Sequence, residues 1–156
     1  MVFVPPLNLQ RWQERLGKDF VLLFRAHYEV ARVMGIEDNS FVKNVSAYPS
    51  LNELMMASDL LISDYSSIFF DYSVQAKPML CYCYDYDKYS KKRGMYFDIR
   101  EWIPSASDEE ALLQLIENTD VTKVCESTKK FQEMYVTEFG HASEKSLNII
   151  YNSIIY

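Results

Sequence analysis

Asp64, Ser66, Ser67 and Asp71 stand close together in the segment SDLLISDYSSIFFDY, Ser58 to Tyr72. Two adjacent hydroxyls precede a run with helical spacing. Side-chain donors therefore sit beside the first turn of a helix, whose amides lack intrahelical partners and whose dipole favours negative charge. Such a turn can seat a phosphate. The same residues also suit an ordinary helix cap and a polar turn. Asp71 follows Ser67 by one helical turn on the same face, clear of an anion at the helix tip. Arg25 and His27 alternate out of another apolar run, DFVLLFRA. Arginine can grip a phosphate with two parallel hydrogen bonds, and histidine can donate a hydrogen bond or a proton. An ion pair and a structural hydrogen bond are the plainer alternatives. No glycine-rich loop is present, so neither a P-loop nor a dinucleotide fingerprint is indicated.

These residues need elements to hold them. Leu7 to Leu16 has apolar residues at Leu9, Trp12 and Leu16, a helical spacing, and Gly17 is a natural stop. Asp19 to Ala26, Phe41 to Val45, Ser58 to Ile62 and Met79 to Tyr84 read as short buried strands. Tyr28 to Met34 reads as a short helix or a loop, and Asn52 to Ala57 as a helix capped by Ser50. A helix follows the Asp64 to Ser67 turn and ends at Lys77-Pro78. Tyr96 to Ile103 suggests a last short strand. Ser107 or Asp108 would cap the next helix, followed by helices at about Val121 to Tyr135 and Ala142 to Tyr156. Strands that are apolar throughout and alternate with helices indicate a parallel sheet covered on both faces. Residues 1–17 read as a linker and leading helix, and 18–156 as a single α/β domain. In open parallel sheets ligands gather at the carboxyl ends of strands, which is where Arg25, His27 and the Asp64 turn fall.

The 156 residues are 49% hydrophobic with a net charge of −6, enough to bury a core and too acidic for a nucleic-acid surface. Cys81 and Cys83 would face the same way on a strand, and with Cys125 they form neither a disulfide framework nor a zinc pattern. No apolar run reaches the ~18 residues that span a bilayer, and the start lacks the pattern of a signal peptide. The chain reads as cytosolic, with a peripheral membrane association possible. Lys88, Lys91, Lys92 and Arg93 could meet an anionic polymer or anionic lipid, or form a solvated helix face. His141 reads as a capping or packing residue.

RAHY (Arg25 to Tyr28), the DYSS…FDY segment, KPMLCYCYDYDKY (Lys77 to Tyr89) with RGMYFD (Arg93 to Asp98), and FGHASEK (Phe139 to Lys145) occur here in that order. Together they resemble the CDP-glycerol glycerophosphotransferases, the teichoic acid primases and polymerases. The resemblance implies a Rossmann-like domain forming the C-terminal, donor-binding half of a GT-B architecture. It implies transfer of glycerol phosphate or ribitol phosphate from CDP-glycerol or CDP-ribitol to a lipid-linked acceptor, releasing CMP, at the inner face of the cell membrane. No metal or tightly held cofactor is implied. By motif, His27 would lie against the donor pyrophosphate as the catalytic histidine, accompanied by Arg25. Ser66 and Ser67 would hold the phosphates, and Asp64 and Asp71 match the acidic positions. Ile103-Pro104-Ser105-Ala106 lacks the glycine of the family's Pro-Gly-Pro-like turn. The N-terminal acceptor domain, with its own catalytic histidine, is not within these residues, so the chain by itself is expected to be inactive. The alternatives are a GT-B glycosyltransferase donor domain for a nucleotide sugar and a non-catalytic α/β binding module.

Overall fold

A computed structural model describes residues 5–26, 28–138 and 140–154. Five short strands and eight α-helices alternate along them. Helix α1 (Leu9–Leu16) begins at Asn8, whose side chain accepts from the Arg11 amide, and it buries Trp12 and Leu16. Strands β1 (Leu22–Phe24) and β2 (Val42–Asn44) pair in parallel across α2 (Tyr28–Met34). Helix α3 (Leu51–Ala57) leads to β3 (Leu61–Ser63), and α4 (Ile68–Ser73) to β4 (Met79–Tyr82). Helix α5 (Tyr86–Arg93) and a 3-10 turn (Ile99–Glu101) precede β5 (Ser105–Ala106). Helices α6 (Glu109–Glu117), α7 (Val121–Tyr135) and α8 (Ala142–Ile154) complete the order.

Strand β4 is the centre. It pairs in parallel with β3 on one edge and β5 on the other, and all four of its residues are buried. Its side chains alternate between two cores. Leu80 and Tyr82 join Trp12, Leu16, Leu112, Leu113 and Ile116 on the α1/α6 face. Met79, Cys81 and Cys83 join Met55, Phe69, Tyr72 and Phe131 on the face made by α3, α4 and α7. A strand covered on both sides has no polar face to show, which is why its sequence is apolar without alternation. On the first face α1 is also clamped to α6 by charge: Arg11 and Arg15 reach Glu109, Glu110 and Glu117, and the Trp12 indole donates to Glu109 at 3.1 Å.

Two expectations change. The strands form two ladders, β1-β2 and β3-β4-β5, rather than one hydrogen-bonded sheet among the described residues. The ladders are joined by packing, since Phe24, Phe41 and Val42 share a core with Leu80 and Tyr82. The strand expected within Tyr96 to Ile103 is absent. Phe97 stacks on Tyr135 at 4.4 Å, and the Asp98 side chain accepts from the Arg100 amide, so these residues turn instead of extending. The last strand lies just beyond, at Ser105–Ala106. The caps at Ser50 and Asp108 form as expected, each side chain accepting from the amide three residues on.

Candidate functional site

Three strands of one ladder end at the same edge. β3 runs into Asp64 and Tyr65, β4 into Cys83, Tyr84 and Asp85, and β5 into Ser107. A cleft of ≈ 490 Å³ opens at the ends of β4 and β5, lined among others by Tyr84, Asp85, Lys88, Arg100, Ser105 and Ser107. The Arg100 guanidinium lies 3.6 Å above the centre of the Tyr86 ring and binds Asp98 at 2.6 Å. This pair holds the Asp98 carboxyl down to about 2, chiefly through the hydrogen bond from Arg100.

The Asp64 to Ser67 turn is held from below and from the side. The Cys81 thiol on β4 lies 3.2 Å from the Asp64 carbonyl, to which it can donate, and 3.2 Å from Cys83 Sγ. The contact between the sulfurs pushes the Cys81 thiol up and the Cys83 thiol down, with burial adding to the first and the Arg100 charge to the second. The Tyr65 ring packs on Tyr89 with centroids 4.2 Å apart and on Tyr86 at 6.0 Å. Loss of hydration raises the Tyr65 hydroxyl, and the charges of Cys83 and Asp85 raise it further. The Asp64 carboxyl is also raised. Desolvation is the main cause and the Asp85 charge adds to it, against the amides of Asp64 and Tyr65.

Ser66 and Ser67 are both exposed at the start of α4. Ser66 Oγ accepts from the Ile68 amide at 3.3 Å, so this hydroxyl already serves as a local cap. Ser67 occupies the cap position with helical backbone angles, and its side chain makes no cap hydrogen bond. Asp71 is exposed in the first turn of α4. Arg25 is exposed past the end of β1, and its Nη1 donates to the carbonyls of Val45 (3.1 Å) and Tyr48 (2.7 Å). It therefore braces the loop between β2 and α3. His27 lies outside the described residues. Asp64, Ser66 and Ser67 thus lie on the turn itself, and Asp71 on the helix that follows it. Among the described residues no hydrogen bond links Arg25 to the turn; its guanidinium is turned to the Val45 and Tyr48 carbonyls.

Tyr84, Asp85 and Arg100 are among the cleft residues that reading the sequence for a site passes over. The strand-end rule that singled out Arg25 applies equally to Asp85, just past β4. Arg100 carries no such signal, since a 3-10 turn brings it to the cleft.

The sequence and the fold of this chain have counterparts among known proteins. The CDP-glycerol:poly(glycerophosphate) glycerophosphotransferase family matches residues 1–156. The chain belongs to this family. It is 33% identical to a teichoic acid glycerol-phosphate transferase of Staphylococcus aureus over 92% of this chain and 38% of the relative. It is 32% identical to a teichoic acid poly(glycerol phosphate) polymerase of Bacillus subtilis over 94% of this chain and 21% of the relative. A solved structure of a variant of the wall teichoic acid polymerase TagF superposes with a TM-score of 0.78 at 32% identity, covering 98% of this chain and 39% of that one. A further TagF variant, soaked with CDPG, superposes with a TM-score of 0.74. The chain therefore spans about two fifths or less of these relatives' lengths.

Proposed function

We propose that this chain is the donor-binding domain of a CDP-polyol phosphotransferase, taking CDP-glycerol or CDP-ribitol. The observation that carries the reading is the DYSS turn. It leaves the Ser67 hydroxyl without a cap hydrogen bond at a helix start, and its Tyr65 packs on Tyr86 of the cleft wall. The donor's pyrophosphate would rest on the amides and hydroxyls of Ser66 and Ser67. Transfer of a phosphoryl group demands positioning and neutralisation of developing charge more than covalent assistance. His27 would meet the departing CMP phosphate as donor of a hydrogen bond or proton. Arg25 would act by fixing the Val45 to Tyr48 loop, with Asp64 and Asp71 bracing the turn. The polyol phosphate would pass to a hydroxyl of a lipid-linked acceptor, with the base for that hydroxyl supplied from outside this chain. No helix among the described residues is long and apolar enough to cross a membrane. Work on a lipid-linked acceptor at the inner face of the cell membrane, by peripheral contact, belongs to the same proposal.

A thermal-shift panel tests this. CDP-glycerol at a hundredfold excess over its Kd stabilises a one-site binder by about 2.7 kcal/mol. For a domain of this size that is a rise of roughly 5–10 °C. A rise with CDP-glycerol or CDP-ribitol, and none with UDP-sugars, is the expected result. No rise with any cytidine diphosphate compound at millimolar concentration would overturn the proposal.

A further inference from the structure

Half of the 16 Lys and Arg residues of this acidic chain are engaged in two ways. Arg11, Arg15, Arg100, Lys123 and Lys145 pair with carboxylates. Arg25, Lys43 and Lys77 donate to backbone carbonyls. Three consecutive cations are different. Lys91, Lys92 and Arg93 fill the last turn of α5, all exposed. None of the three takes part in an ion pair or hydrogen bond among the described residues. The other adjacent pair, Lys129 and Lys130 on α7, has Glu126 and Glu133 one turn away on either side, whereas Lys91 to Arg93 have Asp87 one turn before them and no carboxylate one turn after. Helix α5 is also the wall of the cleft, since its opposite end supplies Tyr86, Asp87 and Lys88. Tyr65 anchors α5 through Tyr86 and Tyr89, so the basic end is held at a fixed place relative to the DYSS turn.

We propose that Lys91, Lys92 and Arg93 form a docking track for a linear phosphodiester polymer, leading it along α5 toward the cleft. The proposal rests on the donor-binding reading for its direction and adds the anionic chain that the acceptor would carry. A protein of net charge −6 repels a polyanion unless positive charge is concentrated where the polymer must run. Three long, mobile side chains on one turn can meet successive phosphates of a flexible chain without fixed geometry. A membrane surface fits less well. Polybasic lipid-binding segments use roughly four to eight basic residues, and adsorbed helices insert an apolar face. The tyrosines of α5 face Tyr65 instead, and Tyr96 is a single exposed ring nearby.

The test is binding of a lipid-free glycerol-phosphate oligomer, measured by fluorescence anisotropy without any nucleotide, at several salt concentrations. Three neutralised phosphates on a flexible strand give a slope of log K against log salt of about −2. Raising salt from 50 to 200 mM should then weaken binding about 15-fold. The K91Q/K92Q/R93Q variant should lose this binding and its salt slope. K129Q/K130Q should retain both, and circular dichroism should be unchanged in each. The idea is overturned if the oligomer does not bind the unaltered chain, or if the triple variant binds with the same slope. It is also overturned if the three cations serve only vesicles of phosphatidylglycerol, or only the stability of α5 through its dipole. Because no donor is present, failure of the CDP-glycerol panel leaves this measurement intact, and failure here leaves that panel intact.

Discussion

Replacing Ser67 by alanine separates a phosphate seat from an ordinary helix cap. The Ser67 side chain is exposed and makes no cap hydrogen bond, so its loss removes no internal contact. Urea unfolding should move by less than about 0.5 kcal/mol, as for a surface position without a structural task. A hydroxyl that donates to a phosphate is a hydrogen bond to a charged group, worth about 1.5–3 kcal/mol. At 1.4 kcal/mol per decade, CDP-glycerol should bind roughly 10- to 100-fold more weakly. Ser66 gives the contrast. Its Oγ accepts from the Ile68 amide, so Ser66→Ala should cost about 0.5–1 kcal/mol of stability as well as affinity. Isothermal titration with CDP-glycerol and parallel urea curves read both quantities. Equal CDP-glycerol affinity in the unaltered chain and in Ser67→Ala, with superimposable unfolding curves, would refute the phosphate seat and leave the turn a plain cap.

Other perturbations test the frame around that turn. Phe131 is fully buried against Phe70, Phe97 and Tyr135, so Phe131→Ala should cost about 3–5 kcal/mol in urea unfolding; a loss under about 1 kcal/mol would contradict the packing. Arg25→Ala should weaken CDP-glycerol binding by freeing the Val45 to Tyr48 loop, and faster amide exchange in that loop is the check that distinguishes a brace from a direct phosphate ligand. Asp98 is held at about 2, below its unfolded value near 3.8, so its contribution to stability is present above pH 4 and is lost as pH falls from about 4 to 2. Asp98→Asn should flatten that part of the stability profile, measured by thermal melts across the range. Ala76 carries a φ of 53°, and Ala76→Gly should raise stability by about 0.5–1 kcal/mol, visible as a higher urea midpoint.

How far the sequence reaches depends on whether a residue's partners are local. β4 was legible because burial on both faces leaves an uninterrupted apolar run, and the caps at Ser50 and Asp108 were legible because a cap needs only its own next three residues. The stretch Tyr96 to Ile103 misled because its aromatic residues suit a strand, whereas Phe97 answers to Tyr135 on a distant helix. The hydrogen bonds from Arg25 to the Val45 and Tyr48 carbonyls were not legible, because partners twenty and more residues on leave no mark on the local pattern. The charged run at Asp85 to Gly94 lacks an apolar period. It became a helix on the strength of Tyr86 and Tyr89 meeting Tyr65.

Strand β4 has a consequence for how the domain moves. The Cys81 and Cys83 amides donate across the ladder to Pro104 and Ala106, at 2.9 and 2.8 Å, beneath two packed cores. Protons so placed exchange with solvent only when the whole domain opens. Helix α8 has no buried residue, and exchange there should be among the fastest in the chain. The turns carrying Asp64 and Asp85 adjoin the slow-exchanging strand, one through the Cys81 thiol and the other through the chain itself. A ligand seated on those turns would meet a surface whose floor stays closed while its outer helices breathe.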